Sequence, residues 1–323
     1  MALLSLMIFS CTDSEEVEIL KDVKITVQPS TVLSSFAGYN SGDLDMLSDE
    51  DGDAKLRIAA YIYDIEGNLV TSKSTLLDDY SSDYVFTLNA LDVTKKYRMI
   101  VVSNAIQGTL TSPQYEAYSI KNTENIEKLT IFQESFVSLG SNWSILGLGY
   151  LDVIPEEESS YTLKLQPGSA MFIHYWNNIH ALDSWNVDTY QFFFHNNDKF
   201  NYSGEFSPST TLAEKIFSYV YIPVFYNDES DYYEIYNLLP SKSMNFFGRL
   251  FIGEDSEDFG IGAMEVKAGH TYEVEYDCSK LEISVNTVSS GSSAGSRNIE
   301  RSKRIYGKQI QTNRQARVMD LIK

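Results

Sequence analysis

Short segments in which apolar and polar residues alternate recur along most of the chain, and this pattern limits the fold more than any other feature. Val23-Lys-Ile-Thr-Val27 alternates up to Pro29, and Leu56-Arg-Ile-Ala-Ala-Tyr-Ile-Tyr63 follows after a polar, acidic loop. A period of two is typical of strands that bury one face. In the second segment, that face is predicted to carry Leu56, Ile58, Ala60 and Ile62. The 22 Tyr and 17 Phe residues also favour strands.

Turn residues separate these segments at short intervals. Asp64-Ile-Glu-Gly-Asn68 leads into Leu69-Val70 and predicts a hairpin. Tyr84-Val-Phe-Thr-Leu88 and Lys96-Tyr-Arg-Met-Ile-Val-Val102 continue the series, which predicts a β-sandwich. Asn125 to Val137 is less regular and is compatible with either a short helix or a strand.

A second strand series predicts a second sandwich. The stretch Val153-Ile-Pro-Glu-Glu-Glu-Ser-Ser160 combines proline, acids and serines and is the predicted linker. The N-terminal sandwich is therefore placed at residues 22–152 and the C-terminal sandwich at residues 160–286. Residues 287–323 are predicted to be a flexible Ser/Gly linker followed by a basic tail.

The first eleven residues have the pattern of a bacterial lipoprotein signal. An apolar run ends in Ile8-Phe-Ser-Cys11, so residues 1–10 are predicted to be a signal peptide cleaved after Ser10. Cys11 would then carry the lipid, and residues 11–21 would form an acidic tether. Because no basic residue precedes the apolar run, the signal peptide is expected to be shortened. An irregular N-terminus or a buried apolar strand is the alternative. The prediction is a lipid-anchored protein of the cell outer membrane, exposed at the surface.

The charge of the chain excludes two classes of partner. A formal net charge of −20 argues against binding to nucleic acid or to anionic lipid faces, since both require a basic surface. The charge is unevenly distributed. Residues 297–323 hold eight Lys or Arg and two acids, which gives this tail a charge of +6 and leaves −26 on the rest.

The sequence contains no arrangement of residues that indicates catalysis, a metal or a cofactor. The four histidines lack the spacing of metal ligands, and Asp49-Glu-Asp-Gly-Asp53 lacks the bidentate acid that closes a calcium loop. Cys278 is predicted to be a small packed residue. We therefore expect a chain that is not an enzyme and that binds no metal and no cofactor.

Aromatic residues leave a different function open. Ring faces stack on the apolar faces of sugars, although a Tyr-rich sandwich also uses such residues in its core and at its edges. The residues concerned are Tyr175, Trp176, Trp185, Tyr232, Tyr233 and Tyr236. The alternative function is therefore a surface glycan-binding lipoprotein of a polysaccharide-uptake system.

Four features together resemble the FimB/Mfa-type fimbrial anchor lipoproteins of Bacteroidales. They are the lipobox cysteine with its acidic tether, residues 56–70, residues 96–104, and Lys267-Ala-Gly-His-Thr-Tyr-Glu-Val-Glu-Tyr276. The resemblance covers most of residues 11–286. It implies an all-β fold of two tandem transthyretin-like (Greek-key) β-sandwich domains without catalysis. It also implies a membrane-proximal subunit that anchors a fimbria (pilus) and binds its major stalk subunit, the fimbrillin.

The basic tail has no counterpart in the resemblance. Pilus subunits of this kind join by strand donation, in which an extended segment of one subunit completes the sheet of the next. The tail could donate such a strand through four apolar residues, Ile305, Ile310, Val318 and Leu321. A disordered extension is the alternative, because long polar tails bury too little surface to become ordered.

Overall fold

A computed structural model describes the chain over most of its predicted strands. The described residues are 19–34, 36, 54–78, 80–116, 118–133, 145–178, 189–196, 198–201, 206–208, 216–221, 232–252, 255–277, 279–280, 282–288 and 305–306.

The described part is almost entirely β-structure. Its first half contains β1 (Leu20–Gln28), α1 (Ser30–Ser34), β2 (Ala54–Tyr63), β3 (Leu69–Leu77), β4 (Tyr84–Asp92), β5 (Tyr97–Gly108), β6 (Pro113–Glu116), β7 (Tyr118–Lys121), β8 (Thr130–Gln133), β9 (Gly147–Val153), β10 (Ser160–Lys164) and β11 (Gln166–Pro167). Its second half contains β12 (Ala170–Asn177), β13 (Thr189–Asn196), β14 (Asp198–Asn201), β15 (Phe206–Pro208), β16 (Ile216–Tyr221), β17 (Tyr232–Leu238), β18 (Ser241–Ile252), β19 (Asp255–Val266), β20 (Thr271–Asp277), β21 (Glu282–Val288) and β22 (Ile305–Tyr306).

The first sandwich packs a three-stranded sheet against a six-stranded one. The strand order is β10-β1-β4 in the smaller sheet and β11-β9-β5-β2-β3 in the larger, where β6 also pairs with β5. Alternating residues of β1 and β2 fill the space between the sheets: Val23, Ile25, Val27, Leu56, Ile58, Ala60 and Ile62 are all fully buried. The core face predicted for β2 is thus confirmed.

The predicted hairpin between β2 and β3 is also confirmed. The two strands pair antiparallel, and Gly67 in the turn has φ +87°. This left-handed conformation favours glycine. A Cβ atom at Gly67 would also lie 2.7 Å from Cγ2 of Ile126, so the turn has no room for a side chain.

Residues 153–160 do not separate the two sandwiches. They turn the chain from β9 into β10, which pairs in parallel with β1 and sets Tyr161 opposite Ile25. Leu163 and Leu165 are buried in the first core. The first sandwich therefore extends to Pro167, and the predicted start of the second at residue 160 is corrected to Ala170. The sequence pattern identified the β10 strand, but not the sheet that it joins.

The six-stranded sheet is covered on its outer face as well. The hairpin β7–β8 and the turn before β8 pack on it and form a second core, which also includes Leu239 from the second half of the chain. Its members are Tyr63, Ile100, Val102, Tyr118, Ile126, Leu129, Ile131, Leu146 and Leu239. Of the two alternatives for residues 125–137, the described part contains a turn followed by strand β8.

Two further sheets build the second sandwich. Their strand orders are β17-β12-β20-β21-β22 and β16-β13-β18-β19. Phe172 of β12 and Tyr272 of β20 lie opposite each other, and their rings stack with centroids 5.0 Å apart. Val274 of β20 and Val285 of the neighbouring strand β21 are also buried.

The two sandwiches are joined by a short, hydrogen-bonded crossing and by a shared sheet. The Gly168 amide donates to the carbonyl of Leu146, and the Gly269 amide donates to the carbonyl of Ser169. Strand β8 of the first half pairs with β14 of the second, which makes one sheet with the order β15-β14-β8-β7. Backbone hydrogen bonds therefore connect the halves at two places.

Each sandwich contains a tyrosine whose hydroxyl accepts a hydrogen bond from the backbone five residues earlier. The Tyr97 hydroxyl accepts from the Asp92 amide at 3.1 Å, and the Tyr272 hydroxyl accepts from the Lys267 amide at 2.9 Å. Both tyrosines lie at the start of a central strand, β5 or β20. The same local hydrogen bond therefore fixes the chain before a central strand in each sandwich.

We expect Tyr97→Phe to lower the free energy of unfolding by about 1–2 kcal/mol, because the buried Asp92 amide loses its acceptor. Tyr84→Phe is the matched control, since the Tyr84 hydroxyl has no hydrogen bond in the described part of the chain. Denaturant unfolding should show a change of less than about 0.5 kcal/mol for this control. Equal losses in the two variants would contradict a special role for the Tyr97 hydroxyl.

Candidate assembly edge

The five-stranded sheet of the second sandwich ends in a short strand from the basic tail. Strand β22 contributes only Ile305 and Tyr306, which lie opposite Val285 and Ser284 of β21. Since β21 runs from Glu282 to Val288, most of its outer edge has no partner strand among the described residues. Such an edge is a template to which another extended segment can add.

The paired strands β20 and β21 together have a core face and an opposite face. Tyr272, Val274, Ile283 and Val285 are buried on the core face. The antiparallel register places the alternate residues on the opposite side, which we call the acidic face. It comprises Thr271, Glu273, Glu275 and Asp277 of β20 with Glu282, Ser284 and Asn286 of β21.

The acidic face contains buried polar atoms that lack partners. Thr271 is 0% exposed and Asn286 is 5% exposed. Neither Oγ1 of Thr271 nor Oδ1 of Asn286 has a hydrogen-bond partner in the described part of the chain. An unpaired buried acceptor is costly, so Asn286 Oδ1 favours a donor that approaches along this face.

Asp277 closes the turn from β20 to β21. Its Oδ1 accepts hydrogen bonds from Ser279 Oγ at 2.6 Å and from Asn178 Nδ2 at 3.0 Å, and its Oδ2 accepts from Lys280 Nζ at 2.6 Å. Burial acts to raise the pKa of Asp277, but the bonds from Lys280, Ser279 and Asn178 outweigh it and lower the pKa to about 2. The carboxylate is therefore charged at neutral pH and holds the turn.

Most of the residues predicted to act in localisation or assembly lie outside the described part. Of the predicted donor contacts, Ile305 lies in β22, whereas Ile310, Val318 and Leu321 are not described. The predicted lipidation site Cys11, the cleavage site Ser10 and the second cysteine, Cys278, are also outside it. No helix among the described residues has the length and apolar character needed to cross a membrane.

The described residues contain no group of three or more His, Cys, Asp or Glu side chains placed to hold a metal ion. His270 is exposed, and its Nδ1 lies 3.1 Å from the carbonyl oxygen of Ala268. The acidic run at residues 49–53 is outside the described part.

The aromatic residues considered for sugar stacking fall on neighbouring strands. The antiparallel register of β12 and β17 sets Tyr175 opposite Tyr233 and Trp176 opposite Tyr232. Trp185 lies outside the described residues. Sequence reasoning did not identify the acidic face, although Thr271-Tyr-Glu-Val-Glu-Tyr-Asp277 shows the alternation that creates it.

Comparison with solved structures identifies the fold. A Bacteroides thetaiotaomicron structure named "putative polysaccharide binding proteins" matches with a TM-score of 0.50 and 9% identity, covering 83% of this chain and 95% of its own. A "putative adhesin" from the same species matches with a TM-score of 0.50 and 11% identity, covering 85% and 100%. A fimbrial assembly protein from Parabacteroides distasonis has a TM-score of 0.43 and 12% identity, covering 84% and 96%. The first two matches show that this chain shares their β-sandwich fold.

Sequence comparison gives no match: neither protein-family models nor curated proteins match this chain.

The Asp277 carboxyl is expected to titrate near pH 2 rather than near its ordinary value of 3.8. Its pKa is lower in the folded than in the unfolded chain. Its contribution to stability is therefore present above about pH 4 and is lost as the pH falls toward 2. NMR titration of the carboxyl carbon measures this pKa, and Lys280→Met should raise it. A midpoint that stays near 3.8 in the unmodified protein would contradict the hydrogen-bonded turn.

Proposed function

We propose that this chain is a non-catalytic outer-membrane lipoprotein that anchors a fimbria and binds its terminal stalk subunit through the C-terminal tail. The observation that carries the proposal is the edge of β21, where the tail already forms a strand, β22, opposite Val285 and Ser284. A segment that pairs with a sheet edge in its own chain has the backbone geometry required to complete a sheet in another subunit.

The shared fold supports an adhesion-related role. One of the two structures that share the fold is named a "putative adhesin", and both come from Bacteroides thetaiotaomicron. Fold alone does not determine function, so the proposal depends on the tail and on the lipid-anchor motif at Cys11. An anchor subunit requires attachment at one end and a joining element at the other, and these two features lie at opposite ends of the sequence.

We expect Cys11→Ala to release the protein, and the fibre that it anchors, into the culture medium, because the thiol that carries the lipid is lost. Cys278→Ala is the matched control, since it removes the other cysteine of the chain and should leave the protein in the membrane fraction. Fractionation followed by immunoblotting measures both. Retention of the Cys11→Ala protein in the outer membrane would refute the anchor.

Deletion of residues 289–323 should detach the stalk while leaving β21 intact, because the tail is the proposed joining element. A second variant keeps the length and charge of the tail but replaces Ile305, Ile310, Val318 and Leu321 with serine. Both variants should lose the fibre subunit from anchor complexes pulled down from detergent-solubilised outer membranes. If both retain as much stalk subunit as the unmodified anchor, the tail is not the joining element.

A further inference from the structure

Strand β22 is short, but it fixes a register that can be extended along β21. The pairing is antiparallel, with Ile305 opposite Val285 and Tyr306 opposite Ser284. If this register continued one residue backward, it would set Arg304 opposite Asn286. If it continued two residues forward, it would set Lys308 opposite Glu282.

The extended register would place the basic residues on the acidic face. Side chains alternate along a strand, so Arg304, Tyr306 and Lys308 would share one side. Tyr306 is opposite Ser284, which in turn is opposite Glu275. Three rows would then cross the acidic face: Glu273, Asn286 and Arg304; Glu275, Ser284 and Tyr306; Asp277, Glu282 and Lys308.

The buried amide of Asn286 supplies a second, independent indication. Its Oδ1 has no partner among the described residues, although Asn286 is only 5% exposed. A guanidinium carries five N–H donors in a fixed plane. Arg304 in the extended register could therefore donate to Asn286 Oδ1 while its charge faces Glu273.

We propose that the acidic face of β20 and β21 is a docking site for residues 304–308 of the same chain. This segment, Arg-Ile-Tyr-Gly-Lys, adds to the β21 edge as a strand, with Arg304 toward Asn286 and Glu273 and Lys308 toward Glu282 and Asp277. The charge of +6 on residues 297–323, against −26 on the rest of the chain, favours this docking. The site selects an extended segment with basic residues four positions apart. Docking in the same chain describes the isolated protein; in the proposed function, the tail must leave this edge before it joins a stalk subunit.

Hydrogen exchange of the peptide that covers residues 282–288 tests the site in the isolated full-length chain. Arg304→Glu with Lys308→Glu should accelerate exchange by about fivefold, because two partly exposed ion pairs become repulsive. Arg301→Glu with Lys303→Glu is the matched control. It makes the same change in charge at positions that the extended register would place on the opposite side of the strand, and should change exchange by less than about twofold.

A variant in which the charges of the two partners are swapped completes the test. Glu273→Lys with Glu282→Lys, added to the variant that carries Glu at 304 and 308, should restore slow exchange. The rates should not depend on protein concentration, since donor and acceptor belong to one chain. Three results would overturn the proposal: equal effects of the two tail variants, fast hydrogen exchange that the swapped charges do not slow, or protection that rises with protein concentration. The last result would indicate that the segment swaps between two copies of the chain.

Discussion

The central strands β2 and β5 are buried on both faces, and the rest of the first half is arranged to satisfy this constraint. Met99 and Val101 point into the first core, whereas Ile100 and Val102 point into the second. Both apolar faces of such a strand must be covered by other parts of the chain, since an uncovered apolar face would stay in contact with water. The three-stranded sheet supplies one cover, and the hairpin β7–β8 supplies the other.

A charged side chain on this doubly covered sheet, Arg57, is paired on several sides. Arg57 of β2 donates to Oδ1 of Asn104 on β5 from Nε at 3.1 Å and from Nη2 at 3.0 Å. Nη2 also lies 2.9 Å from Oε2 of Glu116 on β6 and donates to the carbonyl of Tyr118 on β7. One guanidinium therefore links four strands. Removing a single partner from such a group would leave an uncompensated charge with little access to water.

The second cover also connects the two halves of the chain. Leu239 comes from the second half and completes the second core, and β14 extends the sheet that contains β8. The crossing at Gly168 and Ser169 is also hydrogen-bonded, to Leu146 in the first half and to Gly269 in the second. The sandwiches are thus not independent units on a loose linker. The Pro- and acid-rich stretch at 153–160 belongs to the first sandwich because it leads into β10, which pairs with β1.

Sequence patterns predicted those elements whose partners are close along the chain. The hairpin of β2 and β3 was predicted because its turn requires glycine at a positive φ and its two strands follow directly. The domain boundary was misplaced because β10 pairs with β1, more than a hundred residues away, and an alternating segment carries no information about which distant strand it will join. At the candidate edge, Ile305 was named from its apolar character, but its position opposite Val285 followed only from the structure.

The sequence by itself determined that this protein is built from strands, where most of those strands lie, and that an acidic body precedes a basic tail. These properties follow from local periodicity and charge, which each segment carries with it. Only the tertiary structure decided which strands share a sheet, where the first sandwich ends, and that Glu273, Glu275, Asp277 and Glu282 lie on one face beside a buried, unpartnered Asn286. The sheet partners and the end of the first sandwich depend on register between distant segments, which no single stretch of residues sets. The acidic face lies on the neighbouring strands β20 and β21, but the burial of Asn286 depends on how the surrounding chain packs.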